Sequence, residues 1–249
     1  MIRLSVNVNK VATLRNSRGG REPRVLDAVR VCLDAGVAGI TVHPRADRRH
    51  ITPDDVREVA TALHDRRPIV ELNIEGDPRP ELIELVHEIA PDQCTLVPVA
   101  PGEVTSQAGW QHGPQTDRLP DVIEDFKKRG IRVSVFVDAE PKAIELARDL
   151  GADRVELYTE PFARAFEGGI SSAMRSFDSY AEAAALAHGY GLGVNAGHDL
   201  DLKNLLIFRD VPHLDEVSIG HAIISRALFV GLETVLREYI AVLRPATHH

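Results

Sequence analysis

The stretch IRVSVFVDAEPKAIELARDLGADRVELY, residues 131–158, decides the fold. It opens on a β-branched run at 131–137, brief and apolar enough for a strand buried on both faces. A helical segment follows at 141–150. Pro141 stands in its first turn, where the missing N–H costs nothing, and Gly151 stands where a left-handed C-cap is wanted. A second β-branched run at 153–158 closes the unit, so the stretch is a parallel strand–helix–strand crossover.

The same alternation extends in both directions. Strand candidates lie at 2–8, 38–43, 69–75, 93–98, 131–137, 153–158, 192–196 and 215–219. Helical stretches lie at 25–35, 53–66, 79–90, 120–129, 141–150, 178–190, 202–208 and 222–243; the second of these opens on Thr52 as cap with Pro53 in the first turn. Eight strands, each followed by a helix, in 249 residues without a composition break predict an α/β chain forming a single (βα)8 barrel domain over 1–249. A doubly wound open sheet shares the alternation but not the count. Three segments, 9–24, 99–117 and 159–177, read as long loops. Each follows a strand, which assigns it to the C-terminal face, where barrel enzymes keep their sites.

Composition narrows the function. Hydrophobic residues make up 44% and charged residues 27%, an ordinary globular balance. A net charge of −8 argues against wholesale capture of nucleic acid or an anionic membrane. No apolar run has membrane-spanning length and the start does not read as a signal peptide, so the cytoplasm is expected. Cys32 and Cys94 stand alone in apolar segments and read as buried thiols, neither a disulfide framework nor a CxxC metal site.

Polar groups collect where the strands end: Asn7; His43 and Arg45; Asn73 and Glu75; Asp138; Glu156 and Thr159; Asn195, Gly197 and His198; Gly220 and His221. Any one histidine there could be a turn residue, but several strand ends carrying titratable groups above apolar strand bodies suit a barrel enzyme. Gly220-His221 opens a helix, and with Asn195-Ala196-Gly197 it fits a barrel phosphate site, where backbone N–H groups and a helix N-terminus favour an anion. A second anion site is basic, with Arg45 and His50 in PRADRRH and Arg18 in the first loop; Arg48 and Arg49 read as a solvated charge run. Two anion sites facing one cavity suggest two phosphorylated small molecules or one bisphosphate. His43, Glu75 and His198 could make a two-His-one-carboxylate metal set or a metal-free acid–base trio.

The strings VNVNKVATLRNSRG, TVHPRADRRHIT, LNIE, VNAGHDL and SIGHAIISRAL, in this order, resemble the pyridoxine 5′-phosphate synthase family over nearly the whole chain. The resemblance implies a barrel with additional short helices in its loops and a homo-octamer, a tetramer of dimers. It implies a reaction without cofactor or metal, in which 1-deoxy-D-xylulose 5-phosphate and 3-amino-2-oxopropyl phosphate condense to pyridoxine 5′-phosphate, phosphate and water. Carried over by motif, His43 and Glu75 are acid–base catalysts and His198 a proton donor. Asn7, Gly220 and His221 hold the aminoketone phosphate; Arg45, His50 and Thr105 hold the deoxyxylulose phosphate, with Arg18 near a phosphate and Asp199 among the substrate contacts. The segment 99–117 corresponds to a mobile lid. Many members carry an Asp-His pair where this chain has Asn9-Lys10, so these two are substrate contacts of altered chemistry. A metal-dependent sugar-phosphate isomerase or epimerase, and a non-catalytic phosphometabolite-binding homologue, are the competing readings.

Overall fold

A computed structural model describes residues 1–99 and 107–244. In chain order the elements are β1 (Arg3–Asn7), α1 (Asn9–Asn16), α2 (Val25–Ala35), β2 (Gly39–Val42), α3 (Pro53–Leu63), β3 (Glu71–Gly76), α4 (Pro80–Ile89), β4 (Gln93–Leu96), α5 (Leu119–Lys128), β5 (Arg132–Val137), α6 (Pro141–Asp149), β6 (Arg154–Tyr158), α7 (Glu160–Glu167), α8 (Ile170–Gly189), β7 (Gly193–Gly197), α9 (Leu205–Phe208), β8 (Leu214–Ile219), α10 (His221–Val230) and α11 (Leu232–Leu243). All eight strands pair in parallel and in sequence order, and β8 returns to β1 to close the barrel. Among the described residues no helix is long and apolar enough to cross a membrane.

The local rules explain most boundaries. Thr52 caps α3 in a full capping box with Asp55, and Gly36 ends α2 in the left-handed conformation at φ 81°. Two of the segments read as loops are largely helical. Residues 9–16 form α1, whose Val11 and Ala12 are buried and whose Arg15 pairs with Asp55 on α3 through two contacts at 2.5 and 2.9 Å. Its polar composition hid a helix that tertiary contacts hold. Residues 160–167 form α7, where Phe162 is buried against the rings of Tyr180 and Phe208; Gly169, at φ 105°, is the joint to α8. The run read as one helix at 222–243 is two, divided at Gly231 with φ 86°. The segment 99–117 falls partly outside the described residues.

The strands are buried on both faces, but only the outer face is apolar, which corrects the reading of apolar strand bodies. Leu72 and Ile74 of β3 sit in the hydrophobic core with Val133, Val135, Val155 and Leu157. Their alternating neighbours point inward, as the two-residue strand period requires, and are mostly polar, with Phe136 an apolar exception. Ser5 meets Thr41 at 2.7 Å, and Asn73 donates to Thr41 at 3.3 Å and accepts from Thr95 at 3.0 Å. Asn195 of β7 donates across the barrel to Gln93 of β4 at 3.4 Å, and Arg132 pairs with Glu71. Most barrels of this type are filled by branched apolar side chains. This one is filled by a hydrogen-bonded network that leads up to the C-terminal face.

Candidate active site

The C-terminal mouth holds a cavity of about 460 Å³ lined by residues of β1, β3, β5, β6 and β8 and of the segments that follow β1, β2, β4, β7 and β8. Asn7, Asn9, Lys10, His43, Arg45, His50, Glu75, His198, Asp199, Gly220 and His221 all line it. Of the expected site residues, Arg18 is exposed and outside this lining, and Thr105 lies outside the described residues. Arg49, read as solvated charge, lines the cavity, whereas Arg48 is exposed.

The end of β1 organises one wall. Asn7 accepts a hydrogen bond from the Asn9 N–H at 3.1 Å, and its amide reaches Glu75 Oε2 at 3.4 Å. Asn9 in turn accepts from the backbone N–H of His43 at 3.0 Å. The Asn9 side-chain oxygen therefore holds the His43 backbone as well as facing the cavity. Its amide can accept this bond in any protonation state of the site.

His43 Nδ1 and Glu75 Oε2 stand 3.8 Å apart, too far for a direct hydrogen bond. Both side chains are buried, and burial governs their charge. It pushes the Glu75 carboxyl up to about 8, against a hydrogen bond from Ser218 and with repulsion from Glu216 adding to the rise. Burial, then the positive surroundings of His50 and Arg45, push the His43 imidazole down to about 3. The same two influences, burial and Arg45, take His50 down to about 4. At neutral pH the site thus holds a protonated carboxyl beside a neutral imidazole, a donor and an acceptor and not an ion pair. His43 Nε2 and His50 Nδ1 are buried with no hydrogen-bond partner among the described residues, which equips them to meet a ligand.

Glu156, read along the chain only as one of the polar groups at the strand ends, joins the cavity lining. It is 4% exposed, lines the cavity from β6, and its carboxyl is held well above the ordinary range by burial and by Glu75. The signal was its place between Val155 and Leu157, both outward and buried, which turns Glu156 inward. Register sets it beside Asn195. Val97, Phe136 and Tyr158 form an apolar wall, with the Tyr158 ring 5.1 Å from that of His198.

Two glycines are dictated by close approach. A Cβ at Gly220 would stand 2.8 Å from the Asn7 carbonyl oxygen, and one at Gly197 would run into the Glu156 carboxylate. Gly220 immediately precedes α10, whose first residue is His221, so the N-terminus of a ten-residue helix opens at the cavity. Arg45, Arg49 and Lys10 supply positive charge to the same lining. The mouth therefore combines anion-compatible groups with two buried carboxyls and several histidines in one lining. Among the described residues no three His, Cys, Asp or Glu side chains are grouped so as to hold a metal ion.

At the opposite end of the barrel a second cavity of about 360 Å³ is lined by Arg3, Arg67, Glu71, Asp92, Arg129 and Arg132. Its arginines are already paired: Arg3 and Arg132 with Glu71, Arg67 with Asp92, Arg129 with Asp125. The acid–base groups belong to the C-terminal mouth.

Against known proteins, the family described as pyridoxal phosphate biosynthesis protein PdxJ matches residues 4–245. Pyridoxine 5′-phosphate synthase of Christiangramia forsetii is 52% identical over 245 residues, covering 98% of this chain and 100% of its own. The protein of the same name from Porphyromonas gingivalis is 50% identical over 240 residues, covering 96% and 98%. Among solved structures, phosphoribosyl anthranilate isomerase from Thermotoga maritima is similar with a TM-score of 0.60 at 15% identity, covering 98% of each chain. That last likeness is one of fold.

Proposed function

The chain belongs to the pyridoxal phosphate biosynthesis protein PdxJ family, and from that membership we infer that it is a pyridoxine 5′-phosphate synthase. Its substrates in this reading are 1-deoxy-D-xylulose 5-phosphate and 3-amino-2-oxopropyl phosphate; its products are pyridoxine 5′-phosphate, phosphate and water. The observation that carries the reading is one cavity lined by His43, Glu75, Glu156 and His198 together with the α10 N-terminus, Arg45 and His50.

The chemistry asks for such a set. Addition of the amine to the ketone takes a proton from nitrogen and delivers one to oxygen; dehydration, phosphate expulsion and ring closure each move further protons. Ionised Glu75 takes the proton from nitrogen, and His43 serves as the second acid–base group. An ammonium group arriving beside Glu75 favours its carboxylate, so the substrate itself turns the carboxyl into a base. His198, at the rim, is suited to deliver a proton to a departing oxygen. Arg45, His50 and Lys10 are suited to the deoxyxylulose phosphate, and Asn7, Gly220 and His221 to the aminoketone phosphate. Binding energy from both phosphates would orient the two carbonyl partners.

The reading includes self-association, up to the octamer implied by the family resemblance. The apolar run Leu228-Phe229-Val230, with Phe229 87% exposed, supports a subunit contact, and sedimentation velocity tests it. The proposed location is the cytoplasm, which the two unbridged buried thiols suit.

The test mixes purified protein with both phosphorylated substrates and follows ultraviolet absorbance of the pyridine ring together with phosphate release. The reading expects both signals, each requiring both substrates, at a rate that a chelator leaves unchanged. Absence of a pyridine product would overturn it.

A further inference from the structure

His198 and Asp199 are consecutive non-glycine residues in the left-handed region, at φ 82° and 54°. Such a pair persists only where its surroundings impose it. The surroundings do so from two sides. The Thr159 hydroxyl lies at the carbonyl oxygens of both Gly197 and His198, and the buried Asn204 amide donates to the Asp199 carbonyl at 3.0 Å. Asn204 is itself anchored, accepting at 2.8 Å from the Asp201 N–H. The turn so fixed folds the Asp199 carboxylate back onto its neighbour, with Oδ2 2.8 Å from His198 Nδ1.

We propose that Asp199 is a positioning residue for His198: by accepting the Nδ1 proton it fixes the imidazole tautomer, commits proton transfer to Nε2 and stabilises the imidazolium from which His198 donates. The proposal rests on the synthase reading for the role of His198 as donor, but replaces the role first expected of Asp199, that of a substrate contact. A carboxylate bonded to one imidazole nitrogen is the general way to set which nitrogen works.

The groups facing this pair come from several elements. Lys10 of α1 and His221 of α10 act on Asp199 with positive charge, and the Tyr158 ring of β6 stands edge-on to His198. The hydrogen bond to His198 is the largest influence holding the Asp199 carboxyl below its ordinary range, with His221 and Lys10 contributing in the same direction.

The test is Asp199→Asn and Asp199→Gly, both of which suit a left-handed backbone and so preserve the turn. Nitrogen-15 NMR of the ligand-free protein, with the His198 signal identified by its loss in His198→Ala, should show the Nδ1–H tautomer in the parent and a mixture in both variants. Turnover should fall about 10- to 100-fold with KM for both substrates within about twofold. Removing the negative charge disfavours the imidazolium, so the alkaline limb of kcat should move to lower pH; Asp199→Glu should recover part of the loss. An unchanged tautomer and pH limb would overturn the proposal, and a raised KM at constant kcat would return Asp199 to substrate binding. The tautomer measurement needs no substrate, so it decides the dyad even if the parent protein makes no pyridine product.

Discussion

If Glu75 is the base of the proposed reaction, its burial should set the pH dependence of turnover. Its carboxyl is pushed up to about 8, while His43 and His50 are held near 3 and 4, so in the free protein neither of those histidines titrates between pH 6 and 8. A carboxyl so raised is largely protonated at pH 6 and gains its charge as pH rises toward 8. The expected kcat/KM, which reports the free protein, therefore climbs by about an order of magnitude or more between pH 6 and 8. Initial rates of pyridine formation at subsaturating substrates and constant ionic strength measure it. Glu75→Gln should abolish that limb and cost about 100-fold or more in turnover, within the span of a general base. Stability supplies an independent check. The folded protein holds the Glu75 proton more tightly than the unfolded chain, so no stability is lost below about pH 4.5, and the loss grows as pH rises toward about 8. Glu75→Gln should leave unfolding at pH 4.5 little changed and stabilise the fold at pH 8.5. A kcat/KM profile flat from pH 6 to 8, or a break near pH 4.5, would refute the burial argument.

Three further outcomes follow from the geometry. Lys10→Ala should raise the KM for deoxyxylulose phosphate about 5- to 10-fold with less than about twofold change in kcat, because it removes a charge from the cavity wall and no proton donor; a collapse of kcat at constant KM would place Lys10 in the chemistry. Gly220→Ala should raise the KM for the aminoketone phosphate about tenfold or more with an unchanged circular dichroism spectrum, since the new Cβ meets the Asn7 backbone at 2.8 Å and forces the start of α10 outward; near-normal binding would show that the cradle can give way. Asp55→Ala removes the capping-box partner of Thr52 and both contacts from Arg15, and should cost about 3 kcal/mol in urea unfolding; a loss under about 1 kcal/mol would mean that α1 is held by its apolar contacts alone.

The places where sequence reading stopped share a cause. Glu75 and His43 were found because they end their strands, and a strand end is visible along the chain. Glu156 stands in the same series of polar groups, but nothing along the chain gives it a role, because only closure of the barrel turns it into the cavity with Glu75. The helical nature of 9–16 was hidden because its hydrophobic stripe is only Val11 and Ala12, and the tie that holds it runs from Arg15 to Asp55 on another helix. Asn9 showed itself as a departure from a motif; its bond to the His43 backbone spans 34 residues of chain.

What the chain carries by itself is therefore what obeys short-range rules. The two-residue and 3.6-residue periods, prolines at helix starts, glycines at helix ends and the polar groups at strand termini each depend on a few neighbouring residues. Their repetition was enough to count eight units and to place most of the site on one face. Tertiary structure alone decided the polar barrel interior, the charge states of Glu75 and His43, the exclusion of Arg18 from the cavity lining and the bond between Asp199 and His198. Those depend on closure of the barrel, on desolvation and on a strained turn clamped by Thr159 and Asn204, and all three are set by groups distant in sequence.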